Sequence, residues 1–213
     1  MSSATKLVLW RHGVTDWNER GIFQGQTDIP LNERGLQQAG AAAQYVAEFS
    51  PSAIYCSPMR RAQQTAAALA VLTGLQPCVD NRLAEINVGT WTGRTLADAA
   101  GDDPAVMAAV RAGVDYRRSP TGETMTEVGQ RAGQCLRELG KAHDGETIVV
   151  VSHGGAIRMG IANLLGWPHE TATSLSGMPN CAWSVVAERA ARWRLETYGC
   201  SWGTGRSSGN TEI

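Results

Sequence analysis

Two His-Gly pairs and a few arginines are the residues of this chain whose types and placement could do chemistry. Arg11-His12-Gly13 follows the apolar run Leu7-Val8-Leu9-Trp10, and His153-Gly154 follows the run Thr147 to Val151. Each imidazole therefore stands where a buried strand hands over to a loop. Arg61 lies about one turn beyond a third apolar run, Ala53-Ile54-Tyr55-Cys56. Ligands of parallel sheets bind at the carboxyl ends of the strands, so Arg11, His12, Arg61 and His153 are expected to meet in one cationic cluster. A phosphate suits such a cluster. Two guanidinium forks neutralise a dianion and fix its orientation at any physiological pH. Backbone N–H groups of the Gly13 loop and of a helix starting at Gly154 would add donors.

A lone histidine after a strand is more often structural than catalytic; the functional reading rests on the repetition of the pattern. By the same standard Arg60 is expected to form surface ion pairs, and for Glu85 position alone does not exclude an ordinary exposed carboxylate. His143 and His169 lie in polar surroundings typical of loops and helix ends.

The elements that must position these groups are also readable. Asn32 caps a helical pattern that runs to Phe49, Pro51 breaks it, and Ser57-Pro58 reads as N-cap and first residue of a helix to about Thr73. A helix follows His153-Gly154 through Leu165, and Trp183 to Glu188 and Trp193 to Tyr198 read as two closing strands. The alternation predicts an α/β fold, three-layer α/β/α with a mainly parallel central sheet. Residues 1–200 are expected to form one domain with a helical flap at about 94–120, and 201–213, rich in Gly, Ser and Thr, a flexible tail.

Composition narrows the partners. With 43% apolar and 18% charged residues and a formal net charge of -1, the chain has no bulk electrostatic drive toward nucleic acid or an anionic membrane. A small phosphorylated metabolite fits better. The 5 cysteines are scattered without a C-x-x-C pair, which argues against a disulfide framework or a zinc site. No signal peptide and no apolar run of about 18 residues is present, so a cytoplasmic location is expected. A homodimer is the default assembly.

The run Leu9-Trp10-Arg11-His12-Gly13-Val14-Thr15-Asp16-Trp17-Asn18, followed by Gln24-Gly25 and by Pro30-Leu31-Asn32-Glu33-Arg34-Gly35, resembles the N-terminal signature of the histidine phosphatase superfamily, the phosphoglycerate mutase-like fold. The resemblance continues through Ser57-Pro58-Met59-Arg60-Arg61-Ala62, through Leu83-Ala84-Glu85-Ile86-Asn87-Val88-Gly89 and through Ser152-His153-Gly154-Gly155. It implies a pocket of Arg11, His12, Arg61 and His153, with Asn18, Gln24 and Gly154 as further phosphate contacts and Glu85 as proton donor. The family's catalytic arginine precedes an alanine, which selects Arg61 over Arg60. Also implied are a phosphohistidine formed on His12 and hydrolysed by water, a protonated His153, and no cofactor or metal.

The superfamily holds phosphatases and cofactor-dependent phosphoglycerate mutases, and a non-catalytic phosphate-binding regulator is a third class. The Glu85 neighbourhood is similar to the phosphatase branch, whereas the mutases share a Tyr-Gly pair after the acid and a longer basic insertion that this chain lacks. Ser176-Gly177-Met178-Pro179-Asn180-Cys181-Ala182-Trp183 resembles the C-terminal part of actinobacterial phosphatases acting on glucosyl-3-phosphoglycerate. Their Gly-Gly-Glu-Ser stretch is Thr121-Gly122-Glu123-Thr124 here. The resemblance therefore leaves phosphosugars, phosphoglycerate derivatives, nucleoside monophosphates and phosphoserine-like metabolites open as substrates.

Overall fold

The structure, a computed structural model, describes residues 4–102 and 104–202. Its strands are β1 (Lys6–Arg11), β2 (Ala53–Cys56), β3 (Pro77–Val79), β4 (Thr147–Ser152), β5 (Trp183–Arg189) and β6 (Arg192–Cys200). They form a 6-stranded sheet in the order β3-β2-β4-β1-β5-β6. The first four run parallel; β5 pairs antiparallel with β1, and β6 antiparallel with β5. The helices are α1 (Asp16–Glu19), α2 (Glu33–Ala47), α3 (Arg60–Thr73), α4 (Leu96–Asp102), α5 (Pro104–Ala112), α6 (Met125–Ala142), α7 (Gly154–Leu165) and α8 (His169–Ser174).

The period of two along β1 divides the core. Val8 and Trp10 pack with α2 and α3 through Ala42, Val46, Ala62 and Leu69, while Leu7 and Leu9 pack with α6 and α7 through Leu136 and Ile161. Apolar side chains on both faces are what require helices on both faces. The result is a three-layer α/β/α fold with a mainly parallel sheet. A third cluster, including Ile86, Val88, Trp91 and Met125, packs beside α4 and α5, which fill the stretch read as a flap. Among the described residues no helix is long and apolar enough to cross a membrane. Most of the expected tail lies outside the described residues.

Three differences from the sequence expectation have physical causes. Helix α3 begins at Arg60 with Met59 as N-cap, not at Ser57-Pro58. Ser57 is fully buried and its hydroxyl lies 2.7 Å from His153 Nε2, so a long-range contact takes the group that a local cap would use. Strand β3 has only three residues and a half-exposed edge, too short for a periodic signal. Helices α1 and α8, of 4 and 6 residues, are below the same threshold.

Candidate active site

Strand register brings the two histidines together. Arg11 on β1 pairs with Ser152 on the parallel neighbour β4, so the next residues, His12 and His153, leave the sheet side by side. Their ring centroids are 5.1 Å apart with an edge-on tilt of 62°. The backbone confirms the level, with His12 N–H donating to the Ser152 carbonyl at 3.0 Å. His12 is 3% exposed and His153 is fully buried.

The hydrogen bonds fix the His12 tautomer. Its Nδ1 lies 2.6 Å from the Gly13 carbonyl, which can only accept, so Nδ1 carries the proton and Nε2 keeps its lone pair. Burial first, then the positive charges of Arg61 and Arg11, hold the imidazole well below its ordinary pKa, against a smaller opposing effect of the Gly13 bond. His12 is a neutral base with an uncommitted Nε2. The loop that sets this bond is pressed against α2: a side chain at Gly13 would meet the Gly35 carbonyl oxygen at 2.5 Å, and one at Gly35 would meet the Val14 carbonyl oxygen at 2.0 Å. Only two glycines permit that approach.

Arg61 is brought from α3 and is 1% exposed. Nη1 donates to the Thr27 carbonyl at 2.8 Å, Nη2 to the Gly25 carbonyl at 2.7 Å, and Nε to His153 Nδ1 at 3.2 Å. Three of its five N–H groups are thereby spent on orientation, and one on each terminal nitrogen is left for an anion. Burial lowers its pKa to about 10, so it remains charged at neutral pH. Arg11 is anchored by Nη1 to the Met178 carbonyl. Arg60, in contrast, is exposed and pairs with Asp28 at 3.6 Å, as expected.

The protonated His153 of the sequence expectation is corrected. A guanidinium can only donate, so Nδ1 of His153 is an acceptor and the remaining proton sits on Nε2, which donates to Ser57 Oγ. Burial above all, then Arg61, keeps it neutral. His153 accepts from Arg61 and helps to orient it, beside the His12 ring.

Glu85 reaches the same site from the segment after Leu83. Its Oε1 accepts from Ile86 N–H at 2.8 Å and Ala156 N–H at 3.1 Å, and Oε2 accepts from Gly155 N–H at 3.1 Å. The carboxylate thus occupies the start of α7, where helix-dipole and amide donors favour an anion. The amides expected to serve the phosphate are therefore partly used: Gly155 and Ala156 by Glu85, and Gly13 N–H by Thr65 Oγ1 at 3.1 Å. Gly154, the first residue of α7, lies beside them. A side chain at Gly155 would come within 2.7 Å of Glu85 Oε1, so this glycine makes room for the acid.

Asn18 and Gln24 both face the site. The Thr15 hydroxyl lies 3.1 Å from Asn18 Oδ1 and 3.0 Å from Gln24 Oε1, which turns the Gln24 amide nitrogen outward as a donor. Arg11, His12, Asn18, Gln24, Arg61 and Glu85 all line one cavity of about 480 Å³, within the usual range for a small-molecule site.

Several supporting residues escape sequence reasoning. Arg131 on α6 donates to the carbonyls of Arg82 (2.8 Å), Ala84 (2.6 Å) and Glu85 (2.9 Å), and its Nε and Nη2 pair with Glu123. Glu123 in turn accepts from Asn87 N–H at 2.7 Å. This pair clamps the backbone on both sides of Glu85. Asn180 Nδ2 donates to the His12 carbonyl at 3.0 Å, fixing the other end of the His12 loop. The cavity is also lined by Arg118 and Arg158. Nothing in their local sequence marks them, beyond the spacing of three that puts Arg158 one helical turn after Gly155.

The comparisons with known proteins agree with this geometry. The chain is similar to glucosyl-3-phosphoglycerate phosphatase of Mycobacterium tuberculosis, 36% identical over 215 residues that cover 93% of this chain and 96% of that protein. It is also similar to the probable phosphoglycerate mutase GpmB of Yersinia pestis, 34% identical with 88% and 87% covered. Among solved structures it resembles phosphoserine phosphatase of Entamoeba histolytica in complex with 3-phosphoglyceric acid, at a TM-score of 0.83 and 32% identity, covering 92% of this chain and 98% of that one. The profile of the histidine phosphatase superfamily (branch 1) matches residues 7–201, and with the paired strand-end histidines and both buried arginines in place the chain belongs to that superfamily.

Proposed function

We propose that the protein is a metal-independent phosphomonoesterase that acts through a phosphohistidine on His12, with a phosphosugar or a phosphoglycerate derivative as substrate. The observation that carries this reading is the 2.6 Å bond from His12 Nδ1 to the Gly13 carbonyl, which leaves a neutral Nε2 between two arginines at a cavity wall. Nε2 attacks phosphorus in line; the P–O bond to the alcohol breaks, and Glu85, which takes up a proton from solvent as the phosphate dianion binds beside it, delivers that proton to the departing oxygen. Glu85 then takes a proton from water, which attacks the phosphohistidine and releases phosphate and free His12. Arg11, Arg61, Asn18, Gln24 and the Gly154 amide hold the non-bridging oxygens. His153 keeps Arg61 in register. Phosphoryl transfer requires chiefly positioning and charge neutralisation, and the two arginines supply both. Substrate class follows the relatives named above, whose own substrates are phosphorylated glycerate and serine compounds.

The similarity to a probable mutase favours a second reading, transfer of the phosphoryl group between phosphoglycerates. One experiment separates the two. Protein treated with EDTA is expected to release inorganic phosphate from phosphomonoesters at an unchanged rate and without added bisphosphoglycerate. Activity restored only by magnesium or manganese would refute the role given to the arginines. Cofactor-stimulated interconversion of 3- and 2-phosphoglycerate with little phosphate release would establish the mutase reading.

A further inference from the structure

We propose that Arg131, braced by Glu123, is the positioning residue of the proton donor: it sets where the Glu85 carboxyl stands without touching a reacting atom. The inference rests on the phosphomonoesterase reading and names what gives its acid step the required geometry.

Glu85 lies on a stretch without regular structure. Residues 84–88 run between two short helical turns, Asn81–Leu83 and Gly89–Trp91, with no ladder or helix to hold their backbone. The arginines at His12 are better founded: Arg11 ends β1, and Arg61 stands in the first turn of α3. A general acid has to meet the leaving oxygen at hydrogen-bond distance, and about 1 Å of misplacement can cost roughly 10²-fold. An irregular segment reaches that precision only when other groups fix it.

Arg131 supplies the fixing with its whole fork. Nη1 donates to the Arg82 and Ala84 carbonyls, Nη2 to the Glu85 carbonyl and Glu123 Oε2, and Nε to Glu123 Oε1, so every guanidinium N–H is engaged. Glu123 holds the fork and also reaches past the acid. Its Oε2 accepts from Asn87 N–H at 2.7 Å, and its own N–H donates to the Asn87 carbonyl at 2.7 Å. The segment is thus gripped at Ala84, Glu85 and Asn87. From the loop that anchors Arg61, Gln26 Nε2 donates to the same Glu85 carbonyl at 3.0 Å.

Arg131 is not one of the described residues that line the cavity, so it acts on a substrate through the segment it holds. Its positive charge also reaches His153, and charge and fork have to be separated. Lysine separates them. It keeps the charge but gathers its donors on one atom, which cannot serve three carbonyls and a carboxylate in their fixed directions.

The test is a set of variants read by the phosphorylation step in burst kinetics. Arg131→Met is expected to slow that step about tenfold to 10²-fold for an alkyl phosphate, and far less for p-nitrophenyl phosphate, whose leaving group needs no proton. Because Arg131 acts through Glu85, adding Arg131→Met to Glu85→Gln should slow the alkyl phosphate little further. Arg131→Lys should resemble Arg131→Met. Glu123→Gln, which keeps one acceptor oxygen, should show a smaller loss of the same kind, and it carries the same comparisons if Arg131→Met does not fold. Amide NMR reads the carboxylate's place without turnover. Gly155 and Ala156 N–H donate to it, so Glu85→Ala moves both signals, and Arg131→Met is expected to move them in the same sense. Such shifts support the positioning role even if the unaltered protein hydrolyses neither substrate, an outcome that would sink the phosphomonoesterase reading alone. Equal slowing for both substrates, a double variant slowed by the product of the two single effects, full rescue by lysine, or Gly155 and Ala156 signals that stay in place would each overturn the inference.

Discussion

Replacing His12 with alanine is expected to abolish turnover, by roughly 10⁴-fold or more as for other covalent nucleophiles, while the fold persists. The reason for the contrast is visible in the contacts. Among the described residues the side chain makes one hydrogen bond, to its own neighbour's carbonyl, whereas the loop is held by backbone groups: His12 N–H to Ser152, the His12 carbonyl to Cys181 N–H and Asn180, and Gly13 N–H to Thr65. Those bonds survive the substitution. In the unaltered protein, a brief reaction with labelled phosphomonoester and an alkaline quench should leave acid-labile phosphate on His12. Label on His153, or no label under conditions of rapid turnover, would defeat the assignment. The geometry argues against His153, whose Nδ1 accepts from Arg61 and whose Nε2 donates to Ser57.

Glu85→Gln is expected to slow substrates according to their leaving groups. An alkoxide is a poor leaving group without a proton, so phosphorylation of His12 by an alkyl phosphate should fall by about 10²–10⁴-fold, the scale of positioned acid catalysis. A nitrophenolate needs no proton, and the same step with p-nitrophenyl phosphate should be far less impaired. Burst kinetics isolate that step from the later hydrolysis, in which Glu85 acts as base. The substitution also disturbs the start of α7, because a glutamine has one acceptor oxygen for amides that now share two. One of these bonds would be lost, at about 1 kcal/mol of stability, which is too little to unfold the protein. Equal slowing for both substrates would mean that Glu85 supports the pocket and that the proton comes from elsewhere.

What could be read without coordinates, and what could not, follows from the range of the interactions. The strands that deliver Arg11, His12 and His153 are continuous apolar runs ended by a polar residue and a glycine, so both their type and their end are local properties. Their parallel pairing then brings the imidazoles together without further information. Ser57 is the opposite case. Ser-Pro ahead of a helical pattern is a proper N-cap signal, but the hydroxyl is claimed by His153, 96 residues away. Arg131 looks like any exposed helix cation until the three carbonyls it reaches are known, and Glu123 gains meaning only as its partner. Arg118, in the loop before α6, and Arg158, on α7, are unreadable for a related reason: neither loop composition nor helical periodicity says whether a side chain looks into water or into a cavity. The protonated His153 implied by the resemblance fails because burial beside Arg61 keeps the proton off this imidazole, as it does off His12.

The two neutral, buried imidazoles also link the fold to acidity. In the unfolded chain each histidine takes up a proton below its ordinary pKa of about 6.5, and in the folded chain burial beside arginines keeps both unprotonated to lower pH. Below that value the unfolded state binds more protons, so stability declines as the pH falls. Each histidine contributes a slope of up to about 1.4 kcal/mol per pH unit. The same desolvation that keeps both rings neutral makes the folded state proton-averse, and denaturant midpoints should drop between pH 6.5 and 5 unless both sites are replaced by non-titrating residues. The burial that keeps both rings uncharged thus makes this corner of the sheet one source of the protein's sensitivity to acid.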